Sequence, residues 1–224
     1  MKFLDESGYK SIKLEDVNDY LTDDSGVKDK AVVITFDDGF RDFYTEAFLI
    51  LQEFGFSATM FLPTAFIHNN RVTFKEKECL SWEEVRELSN KGIIFGSHTV
   101  NHPRLNMLKK NDIRFELKES KKRIEQEIGE PIKSFSYPYA FPETDNAFTK
   151  CFRSILESGG YQNGVTTRIG TTDESDDIFF LKRIILNSFD DFPFFLAKLE
   201  GGYDWLHEFQ YIVKSIKRLQ RRRN

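Results

Sequence analysis

Short apolar runs that alternate with segments of helical periodicity predict an α/β fold, a parallel sheet covered by helices, as either an open doubly wound sheet or a barrel. Two further observations support this: cap and turn residues fall at the junctions between runs, and polar clusters stand directly after three of the predicted strands. No internal repeat and no linker rich in Pro, Gly or Ser interrupts the alternation, so residues 1–224 are read as one domain.

Ala31–Phe36, AVVITF, is rich in β-branched residues and suits a strand buried on both faces; Asp37-Asp38-Gly39 ends it. Thr45 to Phe54 carries apolar residues at helical spacing and stops at Gly55. Ser57–Leu62, SATMFL, reads as the next strand, and Ser81-Trp82-Glu83-Glu84 is a capping box opening a helix that closes near Gly92. IIFGS, Ile93 to Ser97, precedes a long helix from about Asp112 to Ile128 with Ile113, Leu117, Ile124 and Ile128 along one stripe, ended by Gly129 and Pro131. SFSYP from Ser134, NGVTT from Asn163 and FFLKRIIL from Phe179 supply further strands, with a helix over Asn146 to Ser158 between the first two. Asp204-Trp205 starts a last helix, over residues 204–224 with its tail, in which Trp205, Phe209, Ile212, Val213 and Ile216 form an apolar stripe suited to core packing.

At 40% hydrophobic and 15% aromatic content, with 23 Phe residues to fill a large core, the chain reads as folded and not disordered. A formal net charge of -4 gives no general case for nucleic-acid binding. Locally, however, Lys217, Arg218, Arg221, Arg222 and Arg223 are basic. These cations either complement the dipole at a helix C-terminus or contact anionic lipid or a lipid-linked glycan. Cys79 and Cys151 are far apart and fit neither a zinc knuckle nor a disulfide framework, so free thiols are expected. The start turns acidic before a secretory apolar region forms, and no stretch approaches the roughly 18 apolar residues that span a bilayer. A soluble, cytoplasmic or membrane-peripheral protein is the expectation, and nothing in the sequence speaks to oligomeric state.

The chemistry lies in three polar clusters after predicted strands: Asp37-Asp38, His98-Thr99-Val100-Asn101-His102, and Pro138-Tyr139. Strand ends and their loops build the active sites of parallel α/β folds, so these clusters can converge. Paired aspartates alone are weak signals, because Asp23-Asp24, Asp176-Asp177 and Asp190-Asp191 lie in polar surroundings and read as solvated. Asp37 and Asp38 differ because a buried strand delivers them to a rim, where a carboxylate needs a cation or donor. Two histidines four residues apart share a side if the segment makes a short helical turn; with a carboxylate they form the ligand set of a catalytic zinc site, open to water. Such an ion lowers the pKa of bound water to about 7 and polarises a carbonyl, which amide hydrolysis needs. Of two adjacent aspartates, one can bind metal while the other takes the proton.

TFDDG (Thr35–Gly39), SHTVNH (Ser97–His102) and FSYPYA (Phe135–Ala140) together resemble the three motifs of the polysaccharide deacetylases with a NodB-homology domain, and the similarity runs from about Phe3 to about Leu186. The resemblance implies a distorted (β/α) barrel in which Asp38, His98 and His102 hold the metal and Asp37 is the catalytic base. The backbone N–H of Tyr139 would help stabilise the oxyanion, and Pro138 and Tyr139 would adjoin the substrate. It implies one divalent ion, zinc by default with cobalt, nickel or manganese as alternatives, and an N-acetylated glycan as substrate.

The chain departs from the family's pattern in four places. Ser136 stands where many relatives carry an Arg that orients the base, and Leu181-Lys182-Arg183 stands where a late Leu-x-His supplies a general acid. Loss of that acid costs roughly a hundredfold to ten-thousandfold in rate, so a catalytically silent carbohydrate-binding homologue is the second reading, and a deacylase of another amide or an O-acetyl ester the third. Arg183 either orients Asp37, contacts substrate, or pairs with surface carboxylates. Ala140 replaces a usual Gly, and the expected upstream strand before Phe3 is missing, which leaves the barrel incomplete, covered by another element, or truncated.

Overall fold

The computed structural model describes residues 1–23 and 30–221. In chain order the elements are α1 (Lys2–Glu6), β1 (Lys10–Ser11), α2 (Val17–Thr22), β2 (Ala31–Val32), β3 (Thr35–Phe36), α3 (Phe48–Glu53), β4 (Thr59–Leu62), β5 (Thr73–Phe74), β6 (Lys77–Glu78), α4 (Trp82–Asn90), β7 (Ile94–Ser97), α5 (Lys110–Ile128), β8 (Ser134–Ser136), α6 (Asn146–Ser158), β9 (Asn163–Ile169), β10 (Leu181–Arg183), α7 (Phe192–Leu199) and α8 (Leu206–Arg221). Among the described residues the main sheet has the order β10-β9-β8-β7-β4-β3, and every neighbouring pair is parallel.

Parallel pairing fixes where the chemistry sits, because all strands then end on the same rim. The sheet curls into a half-barrel with flanking helices. The curl is visible in one contact: Arg183, at the end of edge strand β10, donates to Thr35 Oγ1 at 3.3 Å on the opposite edge strand β3. Leu14 and Val17, the first residue of α2, pack with Phe61, Val165 and Leu181 of β4, β9 and β10 in a second, smaller cluster. The larger core lies between sheet and helices, where Phe135, Tyr137, Phe141, Phe152 and Phe180 pack ring against ring. The capping box at Ser81 and Glu84 opens α4 as expected, with the Glu84 N–H donating to Ser81 Oγ at 3.2 Å and the Ser81 N–H to Glu84 Oε2 at 2.9 Å.

Several expectations are corrected. AVVITF is half-buried and divided: Ala31 and Val32 pair with β1, then Ile34 accepts from the Thr59 N–H at 2.9 Å and β3 pairs with β4, so the run changes partner at the sheet edge. FFLKRIIL forms a strand only at Leu181–Arg183, where the register shifts; Phe179 and Phe180 turn into the core and Ile185 and Leu186 are exposed. The α8 stripe does not pack inward. Gln210 accepts from the Ile169 N–H at 3.3 Å and donates to the Thr167 carbonyl at 3.0 Å, and Lys214 pairs with Glu143 at 2.7 Å, so a polar face meets β9. Trp205 and Phe209 are left 63% and 60% exposed, with Ile212 and Ile216 also exposed. Nor do all Phe residues fill the core, since Phe115, Phe189 and Phe192 are exposed. Asp176 and Asp190 are not solvated either: each pairs with a lysine, Lys182 at 3.0 Å and Lys198 at 2.8 Å, while Asp191 caps α7. Asp24, Arg222 and Arg223 lie outside the described residues, as do the side chains of His207, Lys217, Arg218 and Arg221. Cys79 and Cys151 are free thiols, and no described helix is long and apolar enough to cross a membrane.

Candidate metal centre

The loops after β3, β7 and β8 converge on the rim. One ligand atom each from Asp38, His98 and His102 lies within 4.8 Å of the others. Asp38 Oδ1 is 3.7 Å from His98 Nε2 and 3.2 Å from His102 Nε2. Oδ1 is buried without a hydrogen-bond partner, as is His102 Nδ1. A buried carboxylate oxygen left without a donor is costly unless a cation meets it. His98 Nδ1 lies 2.7 Å from the Ser136 carbonyl, which can only accept, so the proton sits on Nδ1 and Nε2 keeps its lone pair. One carboxylate oxygen and two imidazoles fit a divalent ion with a position left open.

Burial above all, with His102 beside it, pushes the His98 imidazole down to about 4, against the raising influence of Asp37 and the Ser136 carbonyl. The folded pKa therefore lies below the unfolded value of about 6.5, and between those values only the unfolded chain takes up the proton. This contribution to stability is complete above pH 6.5 and is lost as pH falls towards 4, by roughly 3 kcal/mol. Urea denaturation of chelator-treated protein across that window should show the loss, and His98→Gln should flatten it.

The histidines do not meet on a helical turn. The backbone is left-handed at Thr99 (φ 71°) and His102 (φ 52°), and these two bends bring the rings to 4.7 Å between centroids. Asp38 (φ 72°) and Tyr139 (φ 58°) share that conformation, so each of the three loops carries strained non-glycine backbone, of order 1–3 kcal/mol per residue. Packing and hydrogen bonds hold them there. Buried Glu116 on α5 accepts from the N–H groups of Val100 and Asn101 at 2.8 and 2.9 Å and from Asn101 Nδ2 at 2.7 Å. Thr64 and Ala65 donate to the Thr99 and Val100 carbonyls at 3.1 and 2.9 Å. Gly39, at φ +64°, has no room for a side chain, because a Cβ would lie 2.9 Å from both Ile67 Cδ1 and Leu62 Cδ2.

Asp37 faces a different partner. Arg183 grips it with two parallel bonds, Nη1 to Oδ1 at 3.0 Å and Nη2 to Oδ2 at 2.8 Å, and reaches Ser136 Oγ at 3.2 Å. The small side chain at position 136 thus stands against a guanidinium delivered from β10. Burial alone would raise the pKa of Asp37, but the Arg183 charge outweighs it, with His98 and the hydrogen bonds from Arg183 and Ser136, and holds the carboxyl below the usual range. A cleft of about 410 Å³ opens beside Asp37, lined in part by Phe36, Phe40 and Phe43.

Pro138 is buried, and Tyr139 is exposed with its ring edge-on to His102 at 4.7 Å and the Arg104 guanidinium 4.8 Å over its face. His68 stands apart, its Nε2 2.8 Å from the Ala65 carbonyl. Sequence reasoning missed Lys75, whose Nζ lies 2.8 Å from Asp38 Oδ2, and Glu116. Glu116 was findable: it falls at the spacing of the Ile113, Leu117 and Ile124 stripe, where a carboxylate needs a buried partner. Nothing local marks Lys75.

The chain belongs to the polysaccharide deacetylase family, whose sequence model matches residues 24–163. Among its relatives, YxkH of Bacillus subtilis, named for the same family, is 30% identical over 184 residues, covering 82% of this chain and 61% of that protein. The poly-beta-1,6-N-acetyl-D-glucosamine N-deacetylase of Staphylococcus aureus (strain MRSA252) is 22% identical over 78% of this chain and 60% of its own length. The chain thus spans about three-fifths of the length of these curated relatives. The structure of the Streptococcus pyogenes deacetylase PplD in complex with acetate superposes with a TM-score of 0.75 at 25% identity, covering 88% of this chain and 83% of that one.

Proposed function

We propose that this protein is a divalent-metal-dependent deacetylase that removes N-acetyl groups from N-acetylhexosamine units of a surface polysaccharide or its precursor. The observation that carries the reading is the buried, partnerless Asp38 Oδ1 facing two imidazole nitrogens, beside an Asp37 held by Arg183. Asp38, His98 and His102 would hold the ion. When bound, such an ion polarises an amide carbonyl and lowers the pKa of water towards 7.

The chain's own residues then divide the work. Asp37 accepts a proton from water, and Arg183 fixes the plane of its carboxylate so that the free lone pairs point to one side. The Tyr139 N–H meets the developing oxyanion, and Pro138 and the Tyr139 ring border the sugar. Donors of that kind are worth about 3–4 kcal/mol in transition-state stabilisation. Arg183 cannot hand a proton to the leaving amine, since it stays protonated. The family's chemistry, the acetate bound to PplD and the N-acetylglucosamine polymer named for the Staphylococcus aureus relative support the substrate class. Zinc is the default ion for this donor set.

Purified protein should release acetate from N-acetylglucosamine oligomers, lose that release on chelation, and regain it with zinc, cobalt, nickel or manganese. One observation favours a second reading, a glycan-binding homologue without turnover: Leu181-Lys182-Arg183 ends in an arginine that is bound to Asp37, where the family pattern in many members has a histidine. Glycan binding with no acetate released under any of these metals would select it.

A further inference from the structure

Among the described residues, non-glycine residues with positive φ occur at Asp38, Thr99, His102, Tyr139, Lys75 and Glu76. The first four lie in the three loops of the metal centre. The last two, at φ 50° and 65°, form the tip of the hairpin between β5 and β6. A two-residue turn with both central residues left-handed favours Asn-Gly, and Lys-Glu is a strained choice for it. Within the hairpin the Lys75 ammonium meets only the face of the Phe74 ring, 4.8 Å from its centre, a contact worth about 0.5–1 kcal/mol at an exposed site. Its hydrogen bond goes to Asp38.

The hairpin is packed down onto the centre. Phe74 stacks on Phe66 at 4.0 Å and meets the His102 ring edge-on at 5.3 Å. Its stem is tied to the Asp38 loop, with the Leu80 N–H donating to the Gly39 carbonyl and the Arg41 N–H to the Glu78 carbonyl, both at 2.9 Å. Lys77 anchors the second strand on Asp42 at 2.8 Å. From this platform Lys75 Nζ donates to Asp38 Oδ2 at 2.8 Å, while Oδ1 of the same carboxylate faces the histidines.

We propose that Lys75 is a positioning residue for Asp38: its ammonium occupies Oδ2 and so fixes the carboxylate with Oδ1 presented to the ion and Oδ2 withheld from it. The inference rests on the metal-centre reading given above. Two effects oppose each other. The ammonium repels a bound cation, but Lys75 is 44% exposed at its side chain, so solvent and salt screen that repulsion. Orientation of a 15% exposed carboxylate is not screened, and it dominates.

The test compares wild type with Lys75→Ala and with the double variant Lys75→Asn/Glu76→Gly, which relaxes the turn while removing the ammonium. Competition with a chromophoric chelator gives the Zn2+ affinity of the full chain, and the visible spectrum of the Co2+-loaded protein reports the ligand set. Both variants should bind Zn2+ about tenfold to a hundredfold more weakly and change the Co2+ spectrum. The melting temperature of the metal-free double variant should not fall, which keeps the loss apart from unfolding. Wild-type affinity and spectrum in the double variant overturn the role of Lys75 and leave the metal centre standing. A wild-type protein that binds neither ion removes both.

Discussion

Replacing Asp38 with alanine should reduce acetate release from an N-acetylglucosamine oligomer by at least about a thousandfold, since the ion is worth several kcal/mol in the transition state and each 1.36 kcal/mol is a factor of ten. The substitution removes the one carboxylate oxygen that faces both His98 and His102. It should leave the fold intact, because it removes a buried oxygen, Oδ1, that has no donor, and Lys75, the donor to Oδ2, is 44% exposed at its side chain and can turn to solvent; the left-handed φ of 72° stays, and alanine suits it no better than aspartate. Steady-state acetate release, with the melting temperature of the metal-free protein alongside, checks both halves. A stable variant that keeps wild-type turnover would remove Asp38 from the chemistry.

Changing Asp37 to asparagine should lower kcat by about a hundredfold to ten-thousandfold, the usual contribution of a positioned general base, while metal binding survives. The two aspartates are adjacent in sequence but face different partners: the chain turns left-handed at Asp38, and one carboxylate meets the histidines while the other meets Arg183. The low proton affinity of Asp37 bears on its task. A carboxylate held below its usual range is a poor base for ordinary water; in the proposed reaction it would suffice because an ion held by Asp38, His98 and His102 would lower the pKa of the water as well. Asparagine keeps the shape and can still accept from Arg183, so KM should change much less than kcat. Equal kcat in wild type and variant would assign the proton to another group.

How much of this was legible in the sequence follows from how local each signal is. The strand-helix alternation was readable because burial periodicity and caps are local, and Ser81 with Glu84 or Gly129 at φ 77° behave as their positions suggest. Asp37, Asp38, His98 and His102 stood out because a parallel sheet delivers every strand end to one rim. The geometry that joins the histidines was not readable, since the left-handed bends at Thr99 and His102 rest on distant partners, Glu116 and the 64–65 segment, as well as on the local bonds of the Thr99 N–H to Ser97 Oγ and the His102 N–H to Thr99 Oγ1. Arg183 meets an aspartate 146 residues away across the sheet's open seam, a contact that exists only once the sheet has curled. Helix α8 misled for the opposite reason: its apolar stripe is real, but the hydrogen bonds that the Gln210 amide accepts from and donates to the β9 backbone turn the other face inward.

Whether Asp38, His98 and His102 share one divalent ion is decided by titrating metal-free wild type and Asp38→Ala with Zn2+ under identical conditions. Wild type should take up one tightly held equivalent and the variant none of comparable affinity. No tight equivalent in wild type, or an undiminished one in Asp38→Ala, would contradict a shared ion.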